Sequence, residues 1–493
     1  MHGLDVTVLL AYAAGLLWLG LRTGGRRATG DELALAGRSM PGWSVLCSMI
    51  ATELSAATFI GVPQAAFVGD WSYLQLAVGA LLAKLVLGRH LVPLYHRRRF
   101  TTVYELFGAR DGETTERVVA LTFVAGRVLA SGARLFIAAQ AVAVLAGLSS
   151  GFAIVVTGVV AGAYTVRGGI RAVIRTDVLQ GAIFLVAIAA LFAGLIVTLD
   201  LDAGALLRWA LAEDRMRVFH AAPLLSLGDP RAFGTALFGG FALTLATHGT
   251  DQDMVQRLLT AKDGRSGGAA LQRSGWLNFP ITALFLSVGT LLAYAHSTGA
   301  LPEIAASERL VPTVARDLLP PGLRALVFAG LFAAAMSSLD SAICALATTW
   351  VTDIAPRGSD AHPERRLRRA SVVFTVLLMA AAWAMSAYWG ALQSSASDGA
   401  PPLDLVQFAL SAMSILYGGL LGVFVVAWIR PDEGYARATL SGLAAGAVLG
   451  ALLFLQPLLL ERTIVAWPWW IPMSACVSGV IAWAGTRMLG GRD

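Results

Sequence analysis

The chain has 493 residues, 57% of them hydrophobic and 14% charged, where soluble domains hold about 45–50% and about 25%; with a mean hydropathy of +0.69, a soluble globular protein is excluded. Its 37 basic and 31 acidic residues leave a net charge of +6. The basic ones sit mostly in short loops between apolar runs, which is the positive-inside pattern of a membrane protein and not a nucleic-acid footprint. Cys47, Cys344 and Cys476 lie singly in apolar stretches, so neither a disulfide framework nor a zinc site is expected.

The fold class expected is all-α and polytopic, because each span needs roughly 20 apolar residues and such runs recur along the whole chain. Thirteen are predicted, near 4–22, 42–66, 71–95, 117–147, 150–166, 176–198, 233–258, 271–296, 323–351, 370–391, 404–429, 435–456 and 464–489. The first lacks a basic leader and a small-residue cleavage site and reads as a retained span. Alternate loops carry Arg22, Arg26, Arg27 and Arg38, then Arg97 to Arg99, Arg167 to Arg175, Lys262 to Arg273, Arg365 to Arg369, and Arg430 with Arg437. Those loops are expected in the cytoplasm, with the N-terminus outside and the C-terminus inside. No soluble appendage is expected, so function must lie within the membrane.

Irregular or charged positions inside spans are tolerated mainly where they line a cavity. In the second run, 48–61 reads SMIATELSAATFIG and sets small and hydroxyl residues around Glu53. The seventh, at 239–253, reads GGFALTLATHGTDQD and dissolves into glycine and polar residues. Each opens a block of five spans, as expected of a 5+5 inverted-repeat transporter whose first and sixth core helices are broken. Close packing of small residues is the competing reading.

In the ninth run Ala334, Ser337, Ser338 and Ser341 recur at i, i+3, i+4 and i+7, a hydroxyl stripe with Asp340 beside it. Such hard oxygen ligands suit a hard cation, although serines on membrane helices also bond back to their own carbonyls. Asp177, next to Thr176 in a basic re-entry segment, reads equally as a helix N-cap. Arg127, Arg134 and Lys84 lie inside spans; snorkelling suits Lys84 best, whereas an arginine could pair with Glu53 or hold a substrate carboxylate in a bidentate fork. His248 is either a substrate contact or a neutral histidine bonded to backbone at a break.

Three segments together, GGIRAVIRTDVLQ at 168–180, TDQDMVQR at 250–257 and LLPPGLRALVFAGLFAAAMSSLDS at 318–341, resemble the sodium/solute symporter family, and the likeness extends to YGGLLGVF at 417–424. Members of that family take up sugars, proline, sialic acid, monocarboxylates, iodide and vitamins. The resemblance implies one transport domain over 1–493: a leading helix and loop (1–41), a first repeat (42–198), an extracellular loop (199–232), a second repeat (233–429) and two further helices (430–493). It implies a Na⁺ site from the carbonyls of Ala51, Leu54 and Ala334 with the hydroxyls of Ser337 and Ser338. A second Na⁺ site would draw on Asp177, Ser337 and Ser341, with Asp340 where some members carry serine. Substrate contacts would come from Glu53, Ser55, Thr58, Tyr73, Thr247, His248 and Gln407, with Arg127 and Arg134 as further candidates. Gln407 follows Asp404-Leu-Val as in sugar carriers, while Ser55 and Thr58 are nearer to carboxylate binders, so a sugar and a carboxylate-bearing solute both stay open.

The expected activity is Na⁺-coupled import of a small polar organic solute by alternating access. No enzyme is expected, because no HExxH, GxSxG or GxxxxGK motif is present. Neither nucleic acid nor an obligate protein partner is expected; lipid and the solute are the partners. The alternatives are a proton-coupled porter, with Asp177 or Glu53 titrating, and a transporter-like sensor. The sensor is disfavoured because Asp493 follows the last span by four residues.

Overall fold

Lipid offers no partner to a backbone N–H, so apolar runs of this length fold as helices whose hydrogen bonds close within the segment. The computed structural model describes residues 2–23, 29–220, 223–301, 310–355, 362–395, 405–460 and 463–489. Among them the elements are helical throughout, apart from one isolated bridge between Met40 and Ala261. In chain order the helices are α1 (Gly3–Thr23), α2 (Gly30–Leu35), α3 (Gly42–Glu53), α4 (Ala56–Val68), α5 (Leu74–Val86) and α6 (Val92–Arg98). There follow α7 (Glu105–Asp111), α8 (Glu113–Ala146), α9 (Ser150–Thr198), α10 (Ala203–Ala212), α11 (Phe233–Gly249), α12 (Gln252–Leu259) and α13 (Gly264–Ser297). The last six are α14 (Leu310–Leu318), α15 (Leu323–Thr349), α16 (Pro363–Ser395), α17 (Leu405–Ile429), α18 (Ala436–Leu460) and α19 (Trp470–Leu489).

Each of the thirteen predicted runs contains helix among its described residues, with non-helical residues inside several of them, as at 54–55 and 250–251. Among the described residues, eight helices qualify as membrane spans by length and composition, or nine when α3 and α4, bent by 60° at their junction, count as one. The fifth and sixth runs lie in the single helix α9, and others fall short in length or hydropathy among the described residues, so that measure does not reproduce the count of thirteen. One boundary is corrected outright: the loop expected between 166 and 176 is helical except at Gly169, where φ 57° and ψ −156° turn the chain inside α9. A side chain there would collide with the Leu33 backbone, the carbonyl oxygen lying 2.4 Å from a Cβ, so glycine is required on both counts.

At the centre α15 lies against α9 and touches α8, α3 and α4, and from Ala333 to Thr349 every residue is buried. The two blocks pack reciprocally: α4 lies on α13, and α11 lies on α5. The second pair meets through glycines on both helices, since a Cβ on Gly79 would sit 2.2 Å from the Leu237 carbonyl and one on Gly240 2.3 Å from that of Leu76. Small residues at this crossing let the backbones touch, the packing device of helices in lipid.

Candidate functional site

Two helix breaks define the site. At the first, α3 stops at Glu53, Leu54 leaves helical geometry (φ −85°, ψ 89°), and Ser55 starts α4 by capping the Thr58 N–H while Thr58 caps back. A helix end leaves its last carbonyls without partners inside the helix. Among the described residues no side chain bonds the carbonyls of Ala51, Thr52, Glu53 or Leu54.

Glu53 is held from three other helices. Lys84 Nζ of α5 donates to its Oε2 at 2.6 Å and to Ser274 Oγ of α13 at 3.1 Å. His248 Nε2 of α11 and the Ser274 hydroxyl stand 3.1 and 3.2 Å from Oε1. Lys84 is 1% exposed, so it does not snorkel, and it takes the place at Glu53 for which an arginine was expected. Thr247 Oγ1 lies 2.9 Å from His248 Nδ1 and also donates to the Leu243 carbonyl. The two breaks are thus joined directly through Glu53 and His248.

At the second break α11 ends at Gly249, and Asp251 caps the N–H of Asp253 to start α12. Here the freed carbonyls are occupied: Tyr95 Oη donates to Gly249 O at 2.9 Å and Tyr104 Oη to Thr250 O at 3.0 Å. Trp428 Nε1 in turn donates to Tyr95 Oη at 3.0 Å.

A chain of buried ionic contacts runs between the breaks. Ser337 Oγ of α15 donates to Asp177 Oδ1 at 2.5 Å, and Ser48 Oγ of α3 donates to Oδ2 at 2.5 Å. Arg257 reaches Ser48 Oγ at 2.9 Å, Asp177 at 3.3 Å and Asp253 Oδ1 at 2.8 Å. Arg127 bonds Asp253 and, at 2.9 Å, Asp251, which also accepts from Tyr417 Oη at 2.6 Å. Three carboxylates, Asp177, Asp251 and Asp253, are bonded to two guanidinium groups, those of Arg127 and Arg257, in this chain.

Asp177 is therefore not an N-cap: it lies mid-helix, and Ser149 caps α9. Arg127, a candidate substrate contact, has both Nη atoms on carboxylates, while its Nε has no hydrogen-bond partner among the described residues. Arg134 lies two turns further along α8 and is half-buried. In the serine stripe Ser341 bonds back to the Ser338 carbonyl at 3.1 Å, as the competing reading had it. Ser337 instead donates to Asp177, and Ser338 Oγ is buried with no hydrogen-bond partner among the described residues. Asp340 accepts from Tyr164 Oη at 2.6 Å and is directed toward α9. Tyr73, at the start of α5, is 37% exposed. Gln407 falls in α17, and its side chain lies outside the described residues.

Sequence reasoning gave no role to Ser48, Asp251, Asp253, Arg257, Ser274, Tyr95, Tyr104, Tyr164 or Tyr417. Only the i, i+4 spacing of Asp253 and Arg257 carried a readable pairing signal.

Comparison with known proteins bears on this geometry. The family model described as Sodium:solute symporter family matches residues 34–431. A putative sodium-dependent multivitamin transporter of Drosophila melanogaster is 29% identical over 86% of this chain and 69% of its own length. The sodium/sialic acid symporter NanT of Aliivibrio fischeri is 24% identical over 87% of this chain and 88% of its own. The structure of a Na⁺-coupled sialic acid symporter superposes with a TM-score of 0.85 at 20% identity, covering 99% of this chain and 98% of that one. That likeness gives the fold: an inverted-repeat core with broken first and sixth helices.

Proposed function

The chain belongs to the sodium:solute symporter family, and from that premise we propose that it imports a small carboxylate-bearing organic solute by alternating access, driven by Na⁺. The coarser part is plain: this is a multi-pass membrane transporter that couples a small organic solute to Na⁺, not an enzyme.

The observation that carries the reading is Asp177, which accepts from Ser48 on the broken helix and from Ser337 on α15, while the hydroxyl of Ser338, next to Ser337 in the chain, has no hydrogen-bond partner among the described residues. Ser337, having donated its proton, keeps lone pairs for a cation, and Ser338 has both of its own to offer. With the carbonyls of Ala51, Leu54 and Ala334 these hydroxyls make a hard oxygen set that would hold Na⁺ between the broken helix and the central one. Asp177, Asp340 and Ser341 would form a second site only if Asp340 turned from Tyr164, so we place a single Na⁺ at the first.

The ion would be bound differently when the two helices part, and that difference is what allows it to shift the population of states. Each charge moved across 100 mV supplies about 2.3 kcal/mol. The solute would lie against Glu53, Thr247, His248 and Tyr73, its carboxylate at Ser55 and Thr58, where the N-terminus of α4 favours an anion. The sialic acid relative, whose solute is a sugar that bears a carboxylate, supports a carboxylate group on the solute. The repeat boundaries at 42–198 and 233–429, and the N-outside orientation, belong to the same proposal.

Proteoliposomes would test it. Uptake of a carboxylate such as sialic acid should require inward Na⁺ and stop when choline replaces it at fixed pH. Uptake that persists in choline points to proton coupling, and Na⁺-driven uptake of neutral sugars alone contradicts the assigned substrate class.

A further inference from the structure

On the face where the arginine-rich loops gather, away from the helix breaks, lies a second polar cavity. Its walls are the loop before α3, the end of α6 and the turn from α12 to α13, which Met40 N–H fastens to the first loop by donating to Thr260 O at 3.0 Å. The main volume is 790 Å³, lined by Arg38, Arg97, Arg99, Lys262 and Arg265, and an adjoining one of 540 Å³ shares the last two and adds Arg273. Two carboxylates, Asp31 and Asp263, also line it, and Asp263 is occupied in capping the Ser266 N–H at 2.7 Å.

Six cations therefore converge against two acids. Two of the six are held in the left-handed region, Arg38 at φ 49° and Arg99 at φ 55°, a conformation that non-glycine residues rarely adopt. Arg38 Nη2 donates to the carbonyls of Arg99 and Phe100 at 3.1 and 2.8 Å, and this fixes the guanidinium plane. Its Nη1 is buried and has no hydrogen-bond partner among the described residues. A charged donor left this way is costly unless an anion arrives.

The adjoining cavity also reaches the lipid-facing surface. Trp43, on its rim, is 62% exposed. On α13 Arg273, Trp276, Leu277 and Pro280 recur at i, i+3, i+4 and i+7 and are all exposed, a stripe that begins with a cation and continues into apolar surface. Tryptophan prefers the headgroup level of a bilayer, and basic pockets between membrane helices suit acidic headgroups.

We propose that this cleft is a binding site for an anionic phospholipid, its phosphate among Arg38, Lys262 and Arg265 and its acyl chains along the Arg273–Trp276 face. A free phosphate ion shares the headgroup chemistry but has no use for the exposed tryptophans.

The test measures binding of short-chain phosphatidylglycerol and phosphatidylcholine to the full-length protein in neutral detergent by native mass spectrometry. Phosphatidylglycerol should be retained selectively. The double variant K262Q/R265Q, at two exposed positions, should weaken that retention by about thirtyfold, given the usual contribution of a basic residue near an anionic surface. R208Q, on the far-side helix α10, should leave it unchanged. Equal retention of the two lipids, no loss in the double variant, or equal loss in R208Q would each overturn the proposal. So would displacement of the lipid by inorganic phosphate at equal concentration, which would make the ligand a soluble anion. Circular dichroism of the variants checks that the fold survives.

Discussion

The two helix breaks solve the same problem in opposite ways. Where α11 gives way to α12, the carbonyls of Gly249 and Thr250 are bonded by the hydroxyls of Tyr95 and Tyr104, and the charges that follow are locked to Arg127 and Arg257. Where α3 gives way to α4, among the described residues no side chain caps the carbonyls from Ala51 to Leu54, and the Ser338 hydroxyl has no hydrogen-bond partner. One break is a finished joint, whose freed carbonyls at Gly249 and Thr250 are bonded by the protein itself. The other presents oxygens in excess of donors, which is what a cation requires. A broken membrane helix is thus not by itself a binding site; the balance of donors and acceptors around it decides.

Disturbing the finished joint should cost most. Arg257→Gln strands Asp177 and Asp253 without their shared cation in a fully buried setting, and a loss of about 3–5 kcal/mol is expected, read as a large fall in the thermal midpoint and in folded yield. Lys84→Met should come next, near the lower end of that range, because Glu53 would lose its counterion. The double variant Lys84→Met/Glu53→Gln should recover most of the loss, since removing both members of a buried pair is far cheaper than removing one. A double variant no more stable than Lys84→Met would mean the pair is not coupled.

Tyr104→Phe removes a cap from the finished joint and should cost about 1 kcal/mol while leaving the Na⁺ half-saturation where it was. A clear Na⁺ effect would erase the distinction between the joints.

The smallest effect is expected at Asp70, beyond the far end of α4. Burial pushes this carboxyl up, but the Ser72 N–H at 2.9 Å and His220 at 2.6 Å outweigh it and hold the group below the usual carboxylate range. A depressed carboxylate lends stability above its unfolded pKa of about 3.9 and loses it as pH falls through the folded value. Asp70→Asn should therefore lower the midpoint slightly at pH 7, by less than about 1 kcal/mol for a partly exposed pair, and the gap to wild type should close at the acid end. A gap that widens on acidification would reverse the assignment.

The breaks were legible because glycine, hydroxyl and charged residues interrupt runs that are otherwise apolar: Glu53 amid small residues, and His248-Gly-Thr-Asp at the end of a glycine-rich span. The serine stripe was legible from helical spacing alone. What could not be read was pairing. Arg127 and Asp253 lie 126 positions apart, and Lys84 and Glu53 lie 31 apart, and no local period links such residues. Lys84 also sits in a span ending in basic residues, so snorkelling looked adequate until the fold placed a carboxylate beside it. The turn at Gly169 was hidden for a related reason: seven helical residues separate it from Asp177, and an arginine-rich stretch reads as loop even when it is helix.

The account depends on Na⁺ binding between the first break and α15. The most direct test follows the thermal unfolding midpoint of the purified protein in detergent while Na⁺ or K⁺ is titrated at constant ionic strength, since an ion that binds the native state must raise it. A saturable rise with Na⁺ only, shifted to about tenfold higher Na⁺ by Ser338→Ala and weakened by Asp177→Asn, is the predicted result. Identical curves for the two ions, or a Na⁺ response that Ser338→Ala leaves in place, would contradict it.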